Sequence, residues 1–101
     1  MNIIINEQKL KISDRLRQRI QNKFDSGLEK LLKKYQDDLK VASLSIEKLT
    51  RAGYQIKFDM NLPGLPINIK ETHKVLIDGV VRVRNQAKRQ IKKYLEKLRP
   101  Y

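Results

Sequence analysis

From Tyr54 to Leu62 the chain alternates without a break. Tyr54, Ile56, Phe58, Met60 and Leu62 are separated by Gln55, Lys57, Asp59 and Asn61. Successive side chains of a strand point to opposite faces, so this period of two specifies a sheet with one dry face and one wet face. Pro63-Gly64 supplies a turn, and Leu65, Ile67 and Ile69 take up the alternation again, which predicts a hairpin. Pro66 cannot donate to a ladder, so the returning strand belongs at an edge or starts late. Leu39 to Leu49 reads as a further strand, with Ala42, Leu44 and Ile46 on one side and a turn over Thr50 to Gly53. The β-branched run Asn2 to Asn6 reads as the first strand.

Two segments have the helical period instead. Leu16, Ile20, Phe24, Leu28, Leu31 and Tyr35 fall three to four residues apart and predict a helix from about Asp14 to Tyr35. Ser13 is a suitable N-cap and Asp14 suits the positive end of the helix dipole. Gly27 lies inside this helix and weakens it by roughly 1 kcal/mol relative to Ala, which allows a kink or an early end there. Leu76, Val80, Val83, Ala87, Ile91, Tyr94 and Leu98 form a second stripe, with Thr72 as its cap and Pro100 as its stop. The expected fold is therefore α+β, in the order β-α-β-β-β-α. A four-stranded sheet carries both helices on its one apolar face. The first two strands, joined through a helix, should be parallel with a right-handed crossover.

Residues 1–101 suffice for a single domain with one modest core. The longest aliphatic runs, Ile3 to Ile5 and Val75 to Ile77, are far too short for a membrane span or a secretion signal, and the cytoplasm is the expected compartment. With no cysteine there is neither a disulfide nor a thiolate metal site, and a single histidine leaves no set of transition-metal ligands. The charge is the feature with functional content. Of a formal net charge of +12, the stretch Arg82 to Arg99 carries +7, from eight basic residues and one acid, Glu96. A lysine-rich helix face is ordinarily a solvated face, but solvated helices mix Glu with Lys four residues apart. The shortage of acids here points to an anionic partner, and phosphates are the expected anions.

The order of elements and the basic last helix resemble the bacterial ribosome hibernation-promoting factors, also called ribosome-associated inhibitor or subunit-interface proteins. Ile12-Ser13-Asp14-Arg15-Leu16-Arg17 with Lys23-Phe24 is similar to the first helix of that family. Tyr54-Gln55-Ile56-Lys57-Phe58 and Leu62-Pro63-Gly64 are similar to its central hairpin, and Arg89-Gln90-Ile91-Lys92-Lys93-Tyr94 to its most recognisable run. The chain departs from the pattern at Val75-Leu76-Ile77, where the family has Asp-Leu-Tyr, and at Gln86, where it has Lys. It also carries an extra residue near Gly27. The resemblance implies a ribosome-binding inhibitor of translation without catalysis. Such a protein occupies the channel of the small subunit where messenger and transfer RNA would lie, and protects idle ribosomes. It also implies ribosomal RNA as the partner of both helices. Long members pair two ribosomes through a C-terminal extension that this chain lacks, so a monomer is expected.

On that reading Arg82, Lys88, Arg89, Lys92, Lys93 and Lys97 project from the last helix toward phosphates. Arg15, Arg19, Lys23 and Lys30, with Lys33 and Lys34, form a weaker parallel array on the first. Arginine can also stack on unpaired bases and hold phosphate with two donors. Other residues carry less. His73 reads as a polar residue at a helix start, Asp37-Asp38 as a solvated turn, Gly79 as a site of close packing on the sheet, and Tyr54 as a core residue. No nucleophile, base and orienting group occur together, so no enzyme is expected, and neither cofactor, small-molecule substrate nor membrane is called for. Two other classes fit a basic α+β chain: a general RNA-binding module with the architecture of double-stranded RNA-binding domains, and a basic adaptor for an acidic protein or membrane surface.

Overall fold

The computed structural model describes residues 2–33, 41–51, 53–62 and 65–97. The elements follow in the expected order: β1 (Asn2–Gln8), α1 (Asp14–Leu28), β2 (Val41–Lys48), β3 (Tyr54–Leu62), β4 (Leu65–His73) and α2 (Leu76–Lys97). They form one four-stranded sheet in the order β1-β2-β3-β4, with β1 parallel to β2 and the other pairs antiparallel. The strand that contains Pro66 lies at an edge, where a missing amide costs no ladder bond.

Register explains the core. Ile5 pairs with Leu44, Leu44 with Phe58 and Phe58 with Ile69, so one row crosses all four strands on a single face. Ile3, Ala42, Met60 and Ile67 form the neighbouring row. The helices cover this face with Ile20, Phe24 and Leu28 from α1 and with Val80, Val83, Ala87 and Ile91 from α2, all buried in one cluster with the strand residues. Phe24 stacks on Phe58 with ring centroids 5.1 Å apart and an interplanar angle of 5°.

Several boundaries differ from the sequence reading. β1 runs to Gln8 rather than Asn6, and β2 ends at Lys48 because Leu49 donates its amide to the Gly53 carbonyl at 3.2 Å, closing a turn. Gly53 has φ +134, a backbone that residues with a Cβ rarely adopt. α1 stops at Leu28, directly after Gly27, which is the early end that this glycine allowed, and residues 29–33 continue as turns. In those turns the Leu32 amide bonds the Leu28 carbonyl, so Leu32 is buried in the position expected of Leu31, which is only half-buried. Ser13 caps α1 as expected, accepting from the Leu16 amide at 3.1 Å.

Thr72 does not cap α2, because it is still in β4 opposite Gln55. The helix entry is made by His73, whose Nδ1 accepts from the Val75 amide at 3.0 Å, and by the Val75 carbonyl, which accepts from Gly79 at 3.0 Å. Lys34, Tyr35, Asp37-Asp38, Leu39, the Pro63-Gly64 turn, Leu98 and Pro100 lie outside the described residues.

Candidate nucleic-acid interface

The apolar stripe of α2 fixes where its cations point. Burying Val80, Val83, Ala87 and Ile91 turns Arg82, Arg89 and Lys93 to the opposite side. They follow one another at seven and four residues and so form a ridge, with successive rises of about 10 Å and about 6 Å along the axis. Arg82, Arg89, Lys92, Lys93 and Lys97 are exposed, and Lys88 is half-buried on the flank. On α1, Arg15, Arg19 and Lys23 recur every four residues and form a second line. Arg15 and Arg19 are exposed and Lys23 is half-buried. Lys30 and Lys33 are exposed but lie beyond the end of α1, in the turns that follow it.

The two lines belong to one surface. α1 and α2 meet at Gly27, where a Cβ would come within 2.5 Å of Arg84 Cδ. The stem of Arg84 thus crosses α1 at its glycine, and its guanidinium is held by Asn85 Oδ1 at 3.2 Å from Nε and 3.0 Å from Nη2. The flank of α1 that bears Gly27 and Lys23 therefore faces the flank of α2 that bears Arg84 and Lys88. The acids of α1 fall elsewhere. Asp25 accepts from Gln21 at 3.0 Å on the flank nearer β1.

Carboxylates that could neutralise the array are few. Of the ten basic residues expected to contact RNA, Arg82 is the one with an ion pair among the described residues, at 3.9 Å from Glu71 with its own side chain 63% exposed. At that distance and exposure the pair costs little to break. Glu71 has a stronger partner in Gln86, whose Nε2 donates to it at 2.6 Å. Gln86, a departure from the family pattern in the sequence, is thus a bond from α2 to edge strand β4. Glu7 plays the same part on the other edge. It lies on the helix side of β1, binds the Arg17 guanidinium, and accepts from the Ile12 amide. Neither acid was marked by the sequence pattern, because each partner lies ten to fifteen residues away on another element.

The remaining residues singled out from sequence have structural roles. Gly79 is buried, and a Cβ there would lie 2.5 Å from Ile56 Cδ1 and 3.0 Å from His73 Cβ, so close packing of α2 on the sheet requires it. Tyr54 packs half-buried against the core, with Lys48 Nζ 5.4 Å from its ring centroid. Among the described residues no cluster of His, Cys, Asp and Glu is suited to a metal ion, and no helix is long and apolar enough to cross a membrane.

No curated protein sequence matches the chain. Two of the solved structures that share its fold are similar to it along nearly its whole length. One is the N-terminal domain of Protein Y from Thermus thermophilus, 22% identical over 93% of this chain and 99% of that one, with a TM-score of 0.73. The other is a ribosomal subunit interface protein from Coxiella burnetii, 19% identical over 95% of this chain and 99% of that one, with a TM-score of 0.76. Residues 3–99 match the family model described as sigma 54 modulation protein / S30EA ribosomal protein. The match spans both helices and all four strands, and the chain belongs to that family, the ribosome hibernation factors that its sequence resembles.

Proposed function

We propose that this protein binds the small ribosomal subunit and occupies the channel where messenger RNA and the anticodon ends of transfer RNA would lie. It blocks initiation there and protects idle ribosomes, acting in the cytoplasm by occupancy and without catalysis. The observation that carries this reading is the pair of basic lines on one helical surface, nine of whose ten residues have no ion pair among the described residues. Family membership supports the ribosome as the partner of that surface. Arg82, Arg89, Lys92, Lys93 and Lys97 with Arg15 and Arg19 neutralise phosphates directly. Lys23 and Lys88 add half-buried charge on the flanks of α1 and α2, and Lys30 adds an exposed one just past the end of α1.

The reading is tested with purified small subunits. The protein should pellet with them, and bound protein should protect the nucleotides of the channel from chemical probing. Protection at a different site on the subunit would overturn channel occupancy. Equal affinity for any duplex RNA would favour a general RNA-binding module instead.

A further inference from the structure

The helical surface leaves β1 unexplained. Among the described residues it is an edge strand of seven residues, paired on one side only, with β2. Natural sheets guard such edges with lysine, proline, a bulge or an inward-pointing charge. β1 has only the last, Glu7 near its end and paired with Arg17, and its sequence Asn2-Ile3-Ile4-Ile5-Asn6 reads the same in both directions. Ile4 points to the open face and is 53% exposed, beside Val41 at 38%. Ile3 and Ile5 point to the helix side, where they line an open cleft between β1 and α1 together with Arg17 and Gln21. Asn6 already shows hydrogen bonding on the open face, donating to Ser43 Oγ at 3.3 Å.

We infer that β1 is a self-pairing edge, and that a second copy of this chain adds its own β1 in antiparallel register about a two-fold axis through Ile4. The palindrome makes this register self-complementary. Ile4 meets Ile4 of the second copy on the open face, Ile3 meets Ile5 on the helix side, and Asn2 meets Asn6. Cross-strand pairing of β-branched residues is the unit of sheet stabilisation. A closed two-fold contact uses the same patch on both copies, as this one does. The product is one eight-stranded sheet with all four helices on the same side. One contact competes: Arg17 Nη1 lies 3.4 Å from the Ile5 carbonyl, a long bond to an oxygen that retains a second lone pair.

Charge sets the conditions. Each copy carries a formal +12, so pairing is opposed at low salt. The charges at the β1 edge are Glu7 and the Arg17 that pairs with it, which offset each other, so the repulsion is long-range and open to screening, with a Debye length of about 3 Å at 1 M salt. The monomer expected from the sequence is then the low-salt form.

The experiment uses nucleic-acid-free protein at submillimolar concentration. Sedimentation should give a monomer at low salt and a dimer at 1 M. Ile4→Lys, at an exposed position, should melt like the parent and stay monomeric. Because the chain has no cysteine, Ile4→Cys provides a register test. Directly opposed residues in antiparallel strands have Cα atoms about 4.5 to 5.5 Å apart, within disulfide reach, so mild oxidation should convert this variant to a covalent dimer. Asn6→Cys should not cross-link, since in this register its equivalent lies four residues along the neighbouring strand, about 13 Å away. A parent that stays monomeric at 1 M salt, an Ile4→Lys variant that still dimerises, or equal cross-linking at both cysteine positions would each overturn the inference.

Discussion

A single missing Cβ decides how close α2 can come to the sheet. Gly79 stands in the first turns of that helix, where alanine would be favoured by about 1 kcal/mol on propensity alone. The space is already occupied by Ile56 and His73 at 2.5 Å and 3.0 Å from where a Cβ would stand. Gly79→Ala should therefore lower the unfolding free energy by about 1 to 3 kcal/mol, as overpacking does, when measured by urea denaturation. A stabilised variant would mean that helix and sheet separate freely. Gly79 could be picked out from sequence because a glycine inside a strong helical stripe needs a packing reason. Glu7 and Glu71 could not. Each sits in the inward-facing parity of an edge strand, where an acid reads as the end of the buried pattern. Its role appears only when Arg17 or Gln86 arrives from a helix. Glu71→Ala should cost about 1 to 3 kcal/mol by leaving the half-buried Gln86 amide without its acceptor, and thermal melting beside Gln86→Ala in a double-mutant cycle measures the coupling.

At the level of the element, α2 buries one face in the fold and leaves a basic face exposed. Arg89, Lys92 and Lys93 are exposed, and exposed substitutions usually change stability by less than about 0.5 kcal/mol each. Changing all three to Ala should leave the melting curve nearly unmoved and weaken ribosome pelleting strongly. Ile91→Ala on the buried face should cost about 2 to 5 kcal/mol of stability, and any loss of pelleting should track the unfolded fraction. A triple variant that melts and pellets like the parent would reduce the basic ridge to a solvated surface. The helices and β3 were legible because their periods of 3.6 and 2 are unbroken over many residues. The ends of elements were less so. Gly27 marked a place where α1 could end early, and the helix stops one residue later, at Leu28; the crossing of Arg84 at that glycine is a tertiary contact with no local signature. The start of α2 was misplaced for a similar reason. Thr72 has the right chemistry for a cap, but the ladder with Gln55 claims it, and His73 accepts the first free amide instead.

The whole molecule separates its charge by layer. The strand residues on the open face of the sheet include Glu47 and Asp59 against Lys57 and Lys70, a balance of zero, while α1 and α2 together carry +7 of the formal +12. Composition gave the size of the surplus, and only the layering of the fold shows that the larger part of it lies on the helix side. The proposed neutralisation of phosphates through that side has a quantitative consequence. Each contact releases counterions, so log affinity for the ribosome should fall linearly with log salt, at about 0.7 to 0.9 per phosphate contact. The triple change at Arg89, Lys92 and Lys93 should then flatten the slope by about 2 to 3. A Lys57→Ala, Lys70→Ala double variant on the open face should leave it unchanged, although it removes nearly as much charge from the chain. Both slopes come from pelleting over a salt series with the same ribosomes. If only total charge mattered, the double variant would weaken binding almost as much as the triple one. Equal losses would therefore refute a one-sided interface even where binding itself remained strong and salt-dependent. Salt should act in the opposite sense on pairing through β1, strengthening it, because there it screens repulsion between like charges rather than competing for phosphate. Opposite salt dependences in one preparation would show that the helical layer and the β1 edge are separate surfaces.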